Sequence, residues 1–240
     1  MEGGDTGAGA GETPAGRSFP VPGWRRHTTG EHRWPASLAI VVAAGLQMAL
    51  PARLVLPPRY LLPGLELMLL IGLTAMDPGR IDRRERHLRV MGIGLIAVVA
   101  MANMVSATRL VIELLQSKPI ADSAATLIVN GASVYLTNVI AFALWYWELD
   151  RGGPAARTHG VECFPDFLFP QMASPELAPP DWEPVFVDYL YVSFTNATAF
   201  SPTDVPPLTR TAKAAMALQS SVALGTLALV ISRAINVLRQ

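Results

Sequence analysis

The chain has 240 residues, of which 51% are hydrophobic and only 16% charged, with a mean hydropathy of +0.33 and equal numbers of acidic and basic residues. Soluble domains carry about 25% charged residues. The shortage of charge argues against a soluble enzyme, and zero net charge without a basic stripe argues against a nucleic-acid-binding domain. A single cysteine, Cys163, cannot close an internal disulfide, which speaks against a secreted scaffold and for a free cytoplasmic thiol.

Four stretches hold no Asp, Glu, Lys or Arg: Trp34–Ala52, Val90–Thr108, Ser123–Trp147 and Ala214–Ser232, of 19, 19, 25 and 19 residues. A helix that crosses a bilayer needs about 20 apolar residues. The expected fold is therefore an all-α integral membrane protein with about six transmembrane helices, in a multi-pass arrangement in the cell membrane.

Residues 1–33, rich in Gly, Pro, Thr and Arg, read as a disordered cytoplasmic tail. Residues 34–147 read as a four-helix transmembrane region. Helix one is expected over Ala36–Leu50, reaching at most Leu54, where Pro51, Arg53, Pro57 and Pro58 mark its end. Helix two follows over Tyr60–Met76, interrupted by Glu66 and stopped by Asp77–Pro78–Gly79. An arginine-rich loop, Arg80–Arg89, leads to helix three over Val90–Leu115 and helix four over Ala124–Trp147.

Residues 148–183 form a Pro-rich loop, in which the FPDFLF run, Phe164–Phe169, suits either the lipid headgroup level or a small core for the loop itself. Residues 184–240 hold a helix pair. Its first segment, Pro184–Phe200, is short, with a full span and a re-entrant loop as the two options, and its second covers Leu208–Val237. No repeat relates helices one to three to helices four to six.

Placing the N-terminus inside with six spans puts thirteen Lys or Arg on the inner side and five on the outer, with Arg109 within helix three. The positive-inside bias predicts both termini in the cytoplasm. It also favours a full span for the fifth segment over a loop that re-enters from outside.

Ionisable residues within spans are functional candidates because each is costly unless paired or wet. Glu66, Arg109 and Glu113 are expected to form an intramembrane ion cluster, Glu113 being one turn beyond Arg109. Polar residues recur at helical spacing on helix four (Asn130, Ser133, Thr137, Asn138) and on segment five (Asp188, Tyr191, Thr195, Thr198). Helix six contributes Gln219, Thr226 and Arg233. These stripes suit interhelical hydrogen bonds or a polar path. Ala217, Ser221 and Gly225 form a small-residue ladder suited to close helix approach.

His159 and Cys163 alone have ligand-like spacing and lack further ligands, so no metal and no cofactor are expected. The Asn196–Ala197–Thr198 tripeptide lies in an apolar stretch that a glycosyltransferase would not reach. The motifs of zinc proteases, serine hydrolases and intramembrane proteases are missing, so an enzyme is not expected.

The run from Asp188, DYLYVSFTNATAFSPTDVPPLTRTAKAAMALQSSVALGTLALVISRAINVL, resembles the pore helix, filter and inner helix of two-span potassium channels. Ser193, Phe194, Thr198, Asp204, Pro207 and Thr209 fall on that pattern without a gap. The filter positions hold Phe200, Ser201, Pro202 and Thr203, with no glycine. From about Ser123 to Gln240 the chain also resembles a bacterial group of uncharacterised polytopic membrane proteins with a DFLFPQ-like piece and an SFTNATAFSPTD segment. The resemblance implies an ion-channel-like half and ion or small-solute permeation, with a polar path of Asp188, Tyr191, Thr195, Thr198, Asp204, Gln219 and Thr226. The alternative is a non-conducting structural or partner-binding membrane subunit. Expected partners are the lipid bilayer and further copies of the chain.

Overall fold

A computed structural model describes residues 23–81, 85–116, 123–160, 164–199 and 204–238. Those residues are mostly helical. In chain order the helices are α1 (Trp34–Ala49), α2 (Leu61–Met76), α3 (Arg86–Leu115), α4 (Ala124–Leu149), α5 (Pro154–Thr158), α6 (Pro170–Ala173), α7 (Phe186–Ala199) and α8 (Arg210–Leu238). Three are long and apolar enough to cross a membrane: α3, the Ala124–Thr158 run containing α4, and α8. The 16-residue helices α1 and α2 are apolar but shorter.

Local chemistry sets the boundaries. Pro35 stands in the first turn of α1, where a missing N–H costs nothing, and Ser123 accepts a hydrogen bond from the Thr126 N–H to cap α4. Helix α4 is central, packed by α1, α3, α7 and α8. It lies close against α8 at Gly131, where an added Cβ would lie 2.7 Å from a methyl of Val230.

One end of the bundle gathers the start of α1, the end of α2, the start of α3 and the end of α4. A two-residue antiparallel pairing closes it, β1 (Glu31–His32) against β2 (Arg80–Ile81). We call this the arginine end. The opposite end holds the connection from α1 to α2, the end of α3 and the start of α4. The far part of α8 belongs there too, since Val230 packs with Leu54, Leu114 and Leu127.

Helix α7 begins at the arginine end, where the Phe186 N–H donates to Glu31. Its 14 residues make about 21 Å of helix at 1.5 Å each. It stops near the middle of α4, with Thr198 Oγ1 3.3 Å from the Tyr135 hydroxyl. By Pro206 the chain is back at the arginine end. There the Leu168 N–H donates to the Pro206 carbonyl at 3.1 Å and the Leu208 N–H to the Asp166 carbonyl at 2.8 Å. Helix α8 then runs the length of α4 in the opposite direction. Helix α7 thus stops half-way along α4, the chain that resumes at Asp204 is again at the arginine end, and α1 begins at the end of the bundle opposite to that where α8 finishes. The charge count could not distinguish these paths, because turning α8 over exchanges Arg233 and Arg239 for Arg210 and Lys213 and leaves the bias unchanged.

Residues 23–33, read from composition as part of the tail, are packed. Trp24 is buried beneath the guanidinium groups of Arg25 and Arg151, and Gly23 lies against the backbone of Pro180 and Asp181. Two residues, Trp24 and Glu31, give this segment enough to bury. In the Pro-rich loop, Phe167 and Phe169 are buried against Tyr189, which selects a core for the loop, while Phe164 is 84% exposed.

Candidate functional site

The half-helix is held from two sides. At the arginine end, Asp150 follows α4 and is 0% exposed. Its Oδ2 accepts from the Tyr189 hydroxyl on α7 at 2.6 Å, and its Oδ1 accepts from the Asp166 N–H at 2.7 Å. Asp166 in turn accepts from the Arg151 N–H at 3.1 Å and from the Thr209 hydroxyl at 2.6 Å. Thr209 Oγ1 also accepts from the Ala212 N–H, capping α8.

Arg157 lies beneath this layer. One of its nitrogens donates to the carbonyls of Trp147 and Asp150 at 2.6 and 2.9 Å, and the guanidinium lies 5.1 Å from the Tyr189 ring centre. Glu31 faces Arg157 at 3.9 Å and accepts from the Trp147 indole N–H at 2.8 Å. Burial pushes the Glu31 carboxyl above its ordinary range, against the pull of the Arg157 charge and its two hydrogen bonds. The layer ties the N-terminal segment, the end of α4, the loop and the starts of α7 and α8 into one polar knot.

Deeper in the bundle a second network joins α4, α7 and α8. The Tyr146 hydroxyl donates to Gln219 Oε1 at 2.6 Å, and the Asn196 amide donates to the same oxygen at 2.8 Å and to the Met216 carbonyl at 3.0 Å. Gln219 Nε2 donates to Ser193 Oγ at 2.6 Å, and Ser193 Oγ donates to the Val139 carbonyl at 2.6 Å. In low dielectric such networks specify geometry strongly, because losing one member strands the rest.

The residues singled out from sequence divide. Gln219 and Thr226 are buried inside, and so are Asn130, Ser133, Thr137 and Asn138 of α4. On α7 the stripe of Asp188, Tyr191, Thr195 and Thr198 lies on the outward side: Tyr191 is 51% exposed, Thr198 is exposed, and Asp188 and Thr195 are half-buried. Thr195 and Thr198 return their hydroxyls to carbonyls of Tyr191 and Phe194. Asp204 is exposed, 3.4 Å from the Tyr191 hydroxyl. The interior polar residues of α7 are Ser193 and Asn196. Phe200, Ser201, Pro202, Thr203 and Cys163 lie outside the described residues.

The expected cluster of Glu66, Arg109 and Glu113 is not assembled as such. Glu66 is fully buried and accepts from the Gln47 amide at 2.9 Å, linking α2 to α1. Arg109 donates to the carbonyls of Arg53 and Val55, and Glu113 pairs with Arg53 at 2.8 Å. The guanidinium reaches out to the carbonyls left by the turn after α1, so Arg109 and Glu113 tie α3 to that turn and not to Glu66 on α2. The ladder on α8 also faces outward, since a Cβ on Gly225 meets nothing within 4 Å.

Sequence reasoning missed the polar knot, because Glu31, the loop residues Asp150, Arg157 and Asp166, and Tyr189 come from three separate stretches with no shared spacing. The signal available was the density of charge that follows Trp147, in Glu148, Asp150, Arg151 and Arg157, directly after a run of 25 residues free of it. Among the described residues no group of three His, Cys, Asp or Glu is placed to hold a metal. No family model, curated protein or solved structure matches this chain.

Proposed function

We propose that the chain is a multi-pass protein of the cell membrane, with α1, α2, α3, α4 and α8 crossing the bilayer and α7 entering it half-way. Its polarity supports this reading. Large apolar side chains such as Leu38, Met68, Met101, Val129 and Ile231 are exposed around the bundle, whereas Gln47, Glu66, Asn103, Asn138, Asn196 and Gln219 are buried within. An exposed apolar belt around a polar-seamed interior suits lipid as the solvent. Counted along the sequence between these crossings, thirteen Lys or Arg fall on the side of the arginine end and five on the other, which supports a cytoplasmic arginine end. The N-terminal segment and the Pro-rich loop are then inside, and the C-terminus is outside.

The function proposed is permeation of an ion or small solute through a pore-loop unit made of α4, α7 and α8. One observation carries it: a helix that stops at mid-bundle and a chain that returns to its starting end. Irregular backbone at membrane depth is tolerated where it is buried in protein or lines an aqueous cavity. A half-helix also directs its negative C-terminal end to the bilayer centre, which favours a cation there. The outward face of Tyr191, Thr195 and Thr198, with Asp204 above it, suits a path between copies of the chain. The lack of glycine at positions 200–203 favours a second reading, a non-conducting subunit built on the same frame.

Flux from liposomes containing the purified protein separates these readings. Potassium efflux that falls at least about tenfold in a Thr198→Ala/Asp204→Ala variant supports permeation along this face. Efflux no faster than from empty liposomes rejects permeation and leaves the subunit reading.

A further inference from the structure

A cavity of about 270 Å³ opens at the arginine end between α1, α2, α3 and α4. Each of the four helices gives it an apolar wall, Ile40, Leu70, Leu95 and Leu144 among them, and its mouth carries Arg86, Arg89 and Glu148. The charges at the mouth are unevenly engaged. Arg33 is held by Asp77 at 2.8 Å and Glu85 lies 3.1 Å from His87. Arg89 is 58% exposed and only 3.8 Å from Glu148, and Arg86 is exposed with no ion pair among the described residues. Both arginines lie in the first turn of α3, whose N-terminal N–H groups receive no side-chain cap. Two exposed arginines at a helix N-terminus, beside Glu85 and Glu148, and an apolar interior between helices together match an amphiphile with an anionic head.

We propose that this cavity binds the phosphodiester head and upper acyl chain of an anionic phospholipid, with Arg86 and Arg89 on the phosphate and the apolar walls around the chain. The proposal rests on the helices being membrane-spanning and not on permeation, so a negative flux result leaves it intact. It also requires the arginine end to face the leaflet that supplies the lipid, which the charge bias assigns to the cytoplasm.

The test is lipid retention by the purified full-length protein in detergent, measured by native mass spectrometry during titration with dioleoylphosphatidylglycerol or dioleoylphosphatidylcholine. Wild type is expected to retain the anionic lipid in preference. At about a tenfold factor per 1.4 kcal/mol and about 1 kcal/mol per arginine near the headgroup, Arg86→Gln/Arg89→Gln should weaken retention roughly thirtyfold. Gly92 lines the cavity and a Cβ there meets nothing within 4 Å, so Gly92→Phe fills the space without a backbone clash and should abolish retention while thermal unfolding is unchanged. Three results would overturn the proposal: equal retention of both lipids, retention unaffected by both variants, or complete displacement by inorganic phosphate at millimolar concentration. The last would mark a site for free phosphate alone.

Discussion

Asp150 joins the end of α4, the Pro-rich loop and α7 through a single fully buried carboxylate. Replacing it with Ala strands the Tyr189 hydroxyl and leaves Arg157 facing less negative charge, a change of the kind that costs about 3–5 kcal/mol. Tyr189→Phe removes one hydrogen bond to a charged group and should cost about 2 kcal/mol. Thermal unfolding in detergent should rank the two in that order, and a milder Asp150→Ala would deny the carboxylate its central place. Glycines give a second residue-scale contrast. The ladder on α8 drew attention to Gly225, but the close contact is at Gly131 on α4. Gly225→Leu should be tolerated, whereas Gly131→Ala should destabilise by about 1–3 kcal/mol through overpacking. Val230→Ala removes the clashing methyls and should recover part of that loss in the double variant.

At the scale of elements, the charge-free runs located the long helices closely. Helix α4 was expected over Ala124–Trp147 and covers Ala124–Leu149, and α3 was expected from Val90 but starts one turn earlier, at Arg86. Length and absence of charge suffice for existence. They do not determine which face turns inward, since lipid and protein interior are equally apolar. For that reason α7 was read with the Asp188–Thr198 stripe inside, when Ser193 and Asn196 are the buried pair. Periodicity alone also cannot distinguish a half-helix from a short span: both read as an apolar segment bounded by proline. The α4–α7–α8 network supplies the missing constraint. Gln219→Leu leaves Asn196, Ser193 and Tyr146 short of partners and should cost about 2–3 kcal/mol, with loss of α7 packing before the rest of the bundle unfolds. Hydrogen exchange should show opening confined to residues 186–199. Uniform opening would indicate that α7 has no separate dependence on this network.

For the whole molecule, the path of α7 decides the parity of the crossings. In the proposed arrangement, five full passes and one half-pass put the N-terminal segment, the Arg80–Arg89 loop, the Pro-rich loop and the start of α8 on one side. The end of α8 lies on the other. Six full passes would bring both termini together and separate the Pro-rich loop from Asp204. The count of Lys and Arg is thirteen against five under either arrangement, so only a measurement that compares points before and after α7 separates them.

That measurement is labelling with a membrane-impermeant maleimide in a Cys163→Ser background, using single cysteines at Glu176, Asp204 and Gln240. Glu176 and Asp204 are exposed on either side of α7 in the chain. A half-helix predicts that Glu176→Cys and Asp204→Cys react from the same side, in inside-out vesicles and not in intact cells, and that Gln240→Cys reacts in intact cells. Reaction of Glu176→Cys and Asp204→Cys from opposite sides would contradict the half-helix and return the fifth segment to a full span.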